Sequence, residues 1–174
     1  MVRFSLKIVG QKLPTCLEKE ARMKTEMLQA GEVFIRLFCA VIAGGTIGLN
    51  RWLHHKPAGF GTHGLVTLGA ALTTLVMIRV PGADAQAASR VIQGLVTGVG
   101  FIGAGVIMRE NSQHRVHGLT TAASVWASAV LGIACGAADF TVVALGVAFA
   151  LAILLFGKPC ENLVGRIFSA RIDD

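Results

Sequence analysis

The chain has 174 residues, 53% of them hydrophobic, and 16 Lys and Arg against 10 Asp and Glu give a formal net charge of +6. With 15% charged residues and a mean hydropathy of +0.65, the charges fall in blocks between apolar runs, which excludes an ordinary globular domain and leaves no room for a membrane bundle plus a second soluble domain of usual size. The positive excess sits at span ends and in short loops, where the positive-inside rule accounts for it, so nucleic acid is not the expected partner.

Residues 1–30 form a polar N-terminal extension that mixes Lys, Arg and Glu, with Pro14 breaking any early helix. Residues 1–26 of it are read as mobile or weakly amphipathic, with a membrane-surface role as the alternative. It lacks the apolar core of a signal peptide. Met27 opens LQAGEVFIRLF, a more natural start, so residues 1–26 are expected to be dispensable.

A transmembrane domain follows over residues 31–157. Its first span is expected at 33–50, with Arg36 snorkelling to the interface and Gly44 and Gly48 at a helix-contact spacing. The polar loop RWLHHKPAGFG leads to a second span at 62–78, which ends at Arg79. A loop carrying Asp84 precedes the third span, 91–108, bracketed by Arg90 and Arg109. At about 1.5 Å per residue, its roughly 18 residues cover about 27 Å, near the thickness of a hydrocarbon core. Gly94, Gly98 and Gly105 fall on one side of this helix, and Gly100 and Gly103 on the other. Small residues on two sides predict a helix gripped from both, in the middle of the bundle. The loop RENSQHRVHG leads to a fourth span at 119–137, and Asp139 marks a short turn before a fifth at 140–156. Lys158 and Pro159 are expected to end it, leaving 158–174 as a short amphipathic tail.

Five spans put the termini on opposite sides. Arg51, Lys56, Arg109, Arg115, Lys158, Arg166 and Arg171 share one side, which makes that side cytoplasmic if the N-terminal extension is discounted. The four cysteines are scattered singly, so neither a disulfide framework nor a zinc site is indicated, and no cofactor is implied. An internal echo is visible. Gly44, Gly48, Arg51 and His63-Gly64-Leu65 parallel Gly103, Gly105, Arg109 and His117-Gly118-Leu119, either as a parallel repeat or as a chance likeness of two glycine-rich hairpins.

The motifs RVIQG at 90–94, GFIGAG at 100–105, PAGFGTHGLV at 57–66 and HGLTTAASVW at 117–126 occur in an order that resembles the MgtC/SapB family of bacterial inner-membrane proteins. The likeness covers about residues 30–157. It implies about five glycine-rich spans in the cytoplasmic membrane, adaptation to low magnesium, survival of acid stress in virulence-associated members, and in some members a restraint on the proton-driven ATP synthase. It does not imply catalysis or magnesium pumping. Two departures concern the first loop: Asn50 stands where many relatives have an acidic residue, and Gly61 where many have arginine. Virulence-type members also carry a soluble C-terminal domain resembling an ACT module, whereas about 15 residues follow the last span here, so the short branch of the family is the closer match.

Candidate functional residues follow from chemistry within lipid. Arg90 and Arg109 flank the small face of the third span, where interfacial anchoring competes with contact to a partner, an ion, lipid phosphate or a carboxylate such as Asp84 or Asp139. Thr120, Thr121, Ser124 and Ser128 carry hydroxyls into the fourth span, for interhelical hydrogen bonds or for a solute path. Trp126, near mid-span, is expected to be a packed anchor. All five histidines, His54, His55, His63, His114 and His117, fall in or at the ends of the two loops assigned to one side, as solvated side chains or as a pH or metal sensor. No nucleophile elbow, phosphate loop or paired carboxylates occur, so no enzyme is indicated. The sequence thus predicts an all-α, five-span protein of the bacterial inner membrane. It would self-associate or dock on another inner-membrane complex and act as a non-enzymatic stress factor, with an ion or solute carrier built on a repeated hairpin as the alternative.

Overall fold

Helix starts follow the residues available to cap them. The computed structural model describes residues 15–109 and 116–169, with side chains for 29–107, 117–162 and 165. Five helices run in order: α1 (Thr15–Leu53), α2 (Phe60–Arg79), α3 (Ala85–Val106), α4 (Leu119–Gly136) and α5 (Phe140–Ser169). Asp84 caps α3 by accepting a 2.8 Å hydrogen bond from the Ala87 N–H, and Asp139 caps α5 by accepting from the Val142 N–H at 3.1 Å. The starts of α2 and α4 lie at Gly59 and Gly118, which have no side chain to offer. Gly118 is left-handed, with φ +94, and a methyl group there would strike the Val106 carbonyl oxygen, so glycine alone fits.

Each helix contains a segment long and apolar enough to cross a bilayer: Gln29–Leu53, Phe60–Arg79, Ala85–Val106, Leu119–Gly136 and Phe140–Asn162. The expected five-span, all-α architecture holds. Among the described residues it is joined by a two-residue ladder between α3 and α4, β1 (Met108–Arg109) against antiparallel β2 (Val116–His117), with Met108 opposite His117. The chain divides into two compact units, residues 1–35 and 36–174. The described part of the first is helical from Thr15; the second holds the bundle.

Two helix ends differ from expectation. α1 begins directly after Pro14 rather than near residue 33; a proline just ahead of a helix is compatible with it, because the first N–H groups have no intrahelical partner. α5 continues through Pro159 to Ser169. The ring removes one hydrogen bond, but the other backbone bonds keep the helix intact at the edge of the bilayer.

The centre of the bundle is α4, not α3. α4 packs against α2, α3 and α5, and half of its spanning window is buried, against 11% for α3 and 6% for α5. Thr121, Ser124, Ser128, Gly132 and Cys135 recur at three- and four-residue steps along one face of α4, a single stripe of small residues. A methyl group on Gly132 would strike the Thr67 carbonyl oxygen, and one on Gly136 would lie 2.6 Å from Thr74 Cβ. α1 enters the same core: Ala40 and Ala43 cluster with Ala71, Cys135 and Val143. By contrast, Gly94, Gly98, Gly100 and Gly105 of α3 have nothing within 4 Å of an added methyl group, and Gly103 alone makes ordinary contact, 3.6 Å from Ala122 Cβ. Glycine permits close approach but does not draw a neighbour to itself. Within one chain the small faces of α3 are therefore mostly open.

Candidate functional site

A buried polar seam runs where α1, α2 and α4 meet. Its glycines make it possible. Ala40, Ala43, Gly44, Ile47, Gly48 and Arg51 recur at helical spacing on the inner face of α1. A methyl group on Gly44 would strike Thr67 Oγ1, and one on Gly48 would lie 2.6 Å from the Gly59 carbonyl oxygen. This close packing of α1 on α2 brings Arg51, His63, Thr67, Thr121, Ser124 and Ser128 inside, all at most 6% exposed.

The hydroxyls of α2 and α4 mostly bond within their own helices. Thr67 Oγ1 donates to the carbonyls of His63 and Gly64, Thr74 to Ala70, Ser124 to Thr121 and Ser128 to Ser124, all at 2.8–2.9 Å. Side-chain contacts also cross between helices. His63 Nε2 lies 3.1 Å from Ser124 Oγ, while its Nδ1 lies 3.0 Å from the Gly59 carbonyl and must donate to it. Arg51 Nη2 donates to Thr121 Oγ1 at 2.5 Å, and Arg36 Nη1 donates to the Gly136 carbonyl oxygen at 2.7 Å.

The two arginines hold opposite ends of α4, and their registers match. Arg36 and Arg51 are 51 − 36 = 15 residues apart, as are Thr121 and Gly136 (136 − 121 = 15). That is about 22 Å on either helix at about 1.5 Å per residue. Their electrostatic settings are opposite. Arg36 meets the C-terminal carbonyls of α4, the negative end of its dipole. Arg51 meets the N-terminal turn, the positive end. The last turn of its own helix, α1, supplies a favourable end, yet Arg51 Nε is buried with no hydrogen-bond partner among the described residues. A buried charge left this way is costly.

The structure gathers some of the expected residues and leaves others outside. Arg51, His63, Thr121 and Ser124 meet in the seam, although they were separate candidates in the sequence. His63 is not a solvated loop residue: it lies in the first turn of α2 and is fully buried. His54 and His55 are exposed, His117 is exposed on β2, and His114 lies outside the described residues. Among the described residues no group of three or more His, Cys, Asp or Glu could hold a metal ion. Thr120, Asp84 and Arg90 are exposed, the aspartate serving as the α3 cap. The backbone of Arg109 is in β1, and its side chain lies outside the described residues.

Trp126 is 46% exposed rather than packed. At about 100° per residue it points about 140° away from Thr121 and the buried stripe. The role of Arg36 at the end of α4 was not visible in the sequence, since its partner is a backbone carbonyl 100 residues away. Ser124 Oγ and His63 Nε2 are within hydrogen-bond reach, but both side chains are buried and the hydroxyl donates to the Thr121 carbonyl of its own helix.

Comparison with known proteins places this arrangement. The model of the MgtC family matches residues 37–163. Protein SrpB of Synechococcus elongatus is 40% identical over 138 residues, covering 74% of this chain and 76% of that protein. Protein MgtC of Brucella abortus is 38% identical over 125 residues, 72% of this chain and 51% of that protein. Protein MgtC of Salmonella typhimurium is 35% identical over 139 residues, 80% of this chain and 54% of that protein. The chain therefore spans about half the length of these MgtC relatives. No solved structure matches it.

Proposed function

The chain belongs to the MgtC family, and from that premise we propose that it is a non-enzymatic factor of the bacterial inner membrane. It supports adaptation to magnesium limitation or acid by docking on another membrane complex, with the ATP synthase the first complex to test. The single observation that carries the reading is the open glycine face of α3. Gly94, Gly98 and Gly105 share one side of the helix, and among the described residues nothing lies within 4 Å of a methyl group added at any of the three. α5 is still less buried, but its window has a mean hydropathy of 2.6 against 1.3 for α3. Bulky apolar side chains such as Leu145, Phe149 and Ile153 of α5, all exposed, suit lipid. A less apolar, glycine-lined face suits another helix backbone.

Crosslinking with mass spectrometry in native membranes tests this. Crosslinks from the α3 face to another membrane protein, lost in Gly98→Leu, are the expected result; crosslinks confined to copies of this chain would replace the docking reading with self-association. A second reading, an ion or solute carrier, is favoured by the buried seam of hydroxyls between α2 and α4. Against it, those hydroxyls are already bonded to their own helix carbonyls. Uptake of an ion or solute by purified protein in proteoliposomes would establish the carrier and displace the modulator.

A further inference from the structure

The two membrane faces of the bundle are built differently. At one face α3 and α5 begin, and each start has an aspartate whose carboxylate takes up a backbone N–H. At the other face α2 and α4 begin, side by side and parallel, since His63 meets Ser124 near their starts while Thr74 meets Gly136 further along. Neither of these helices has a side-chain cap or an acidic residue in its first turn. Among the described residues no side chain caps their first-turn N–H groups, so the positive ends of two dipoles lie together at one level of the bundle.

A buried cation is added at the same place. Arg51 is 6% exposed, reaches Thr121 in the first turn of α4, and keeps its Nε without a hydrogen-bond partner among the described residues. The described aspartates, Asp84 and Asp139, cap helices at the opposite face. Two uncapped helix starts and an orphaned guanidinium edge together match an oxyanion, which accepts hydrogen bonds from a guanidinium and from helix N–H groups alike. The level also suits a lipid head group, because Trp52 and Leu53 at the end of α1 and Phe60 at the start of α2 are exposed, as the side chains of an interfacial belt are.

The geometry points to a phosphate-binding site at the start of α4, with Arg51 as its guanidinium, that takes a phosphate oxyanion at the membrane surface. A phospholipid head group and free inorganic phosphate supply the same chemistry, and the test separates them. Full-length protein in neutral detergent is melted with added phosphatidylglycerol, with phosphatidylcholine, or with inorganic phosphate, and the same series is run on Arg51→Gln, Arg51→Lys and Arg79→Gln, the last at the opposite face. The expected result is a rise in melting temperature that saturates with phosphatidylglycerol, needs at least about tenfold more lipid in Arg51→Lys, and is unchanged in Arg79→Gln. Arg51→Lys keeps the charge but loses the Nε edge, so it serves even if Arg51→Gln does not fold. Saturation with inorganic phosphate but not with lipid assigns the site to the free ion. Equal saturation in wild type and Arg51→Lys, or none with any of the three probes, overturns the proposal.

Discussion

α4 and α3 are both threaded with small residues, yet they occupy opposite situations. On α4 every small side chain in the stripe from Thr121 to Gly136 faces a neighbour, and added methyl groups at Gly132 and Gly136 would collide with α2. On α3 most glycines face nothing among the described residues. The difference shows that glycine content measures how closely a helix could be approached, while burial depends on whether a complementary surface exists. α2 supplies such a surface to α4 through Thr67, Ala70, Ala71 and Thr74.

Substitutions that fill the space on one helix and then the other sharpen this contrast. The largest effect is expected for Gly132→Leu, which must displace the backbone of α2. A loss of about 3 kcal/mol or more, seen as failure to recover folded protein in detergent, is in line with severe overpacking. Next is Thr121→Val, which removes the hydroxyl partner of Arg51 and leaves more of a buried cation unbonded. A loss of about 1–3 kcal/mol in chemical denaturation is expected, and a variant as stable as wild type would show that Arg51 gains nothing from that contact. Asp84→Ala removes the α3 cap at an exposed site, with an expected cost of about 1 kcal/mol. The smallest effect on stability belongs to Gly98→Ala, within about 0.5 kcal/mol and slightly stabilising if anything, since alanine favours the helix and meets open space. If Gly98→Ala unfolds the isolated protein as readily as Gly132→Leu, α3 and α4 do not differ in the way the structure indicates.

The spans themselves were legible because apolar runs of membrane length are punctuated by Arg51, Arg79, Arg90 and Asp139, and lipid leaves the backbone few alternatives to helix. The identity of the central helix was not legible. α3 carries five glycines, while the hydroxyls of Thr121, Ser124 and Ser128 suggest interhelical hydrogen bonds or a solute path. The usable signal was that those residues keep to one face, whereas the α3 glycines are split between two. The site was legible only in pieces: Arg51, His63 and Ser124 each stood out, but nothing in the chain order pairs residues 61 or 70 positions apart. The continuation of α5 past Pro159 was hidden by a propensity rule drawn from water-exposed helices.

The matched pair of arginines on α1 has a consequence for how the protein is made. Synthesis releases α1 first, and the carbonyl that Arg36 will grip is 100 residues downstream, the hydroxyl for Arg51 70 residues downstream. Neither contact can form until the fourth span has left the ribosome and the insertion machinery. Completion of the bundle is therefore a late event, timed by a helix in the second half of the chain.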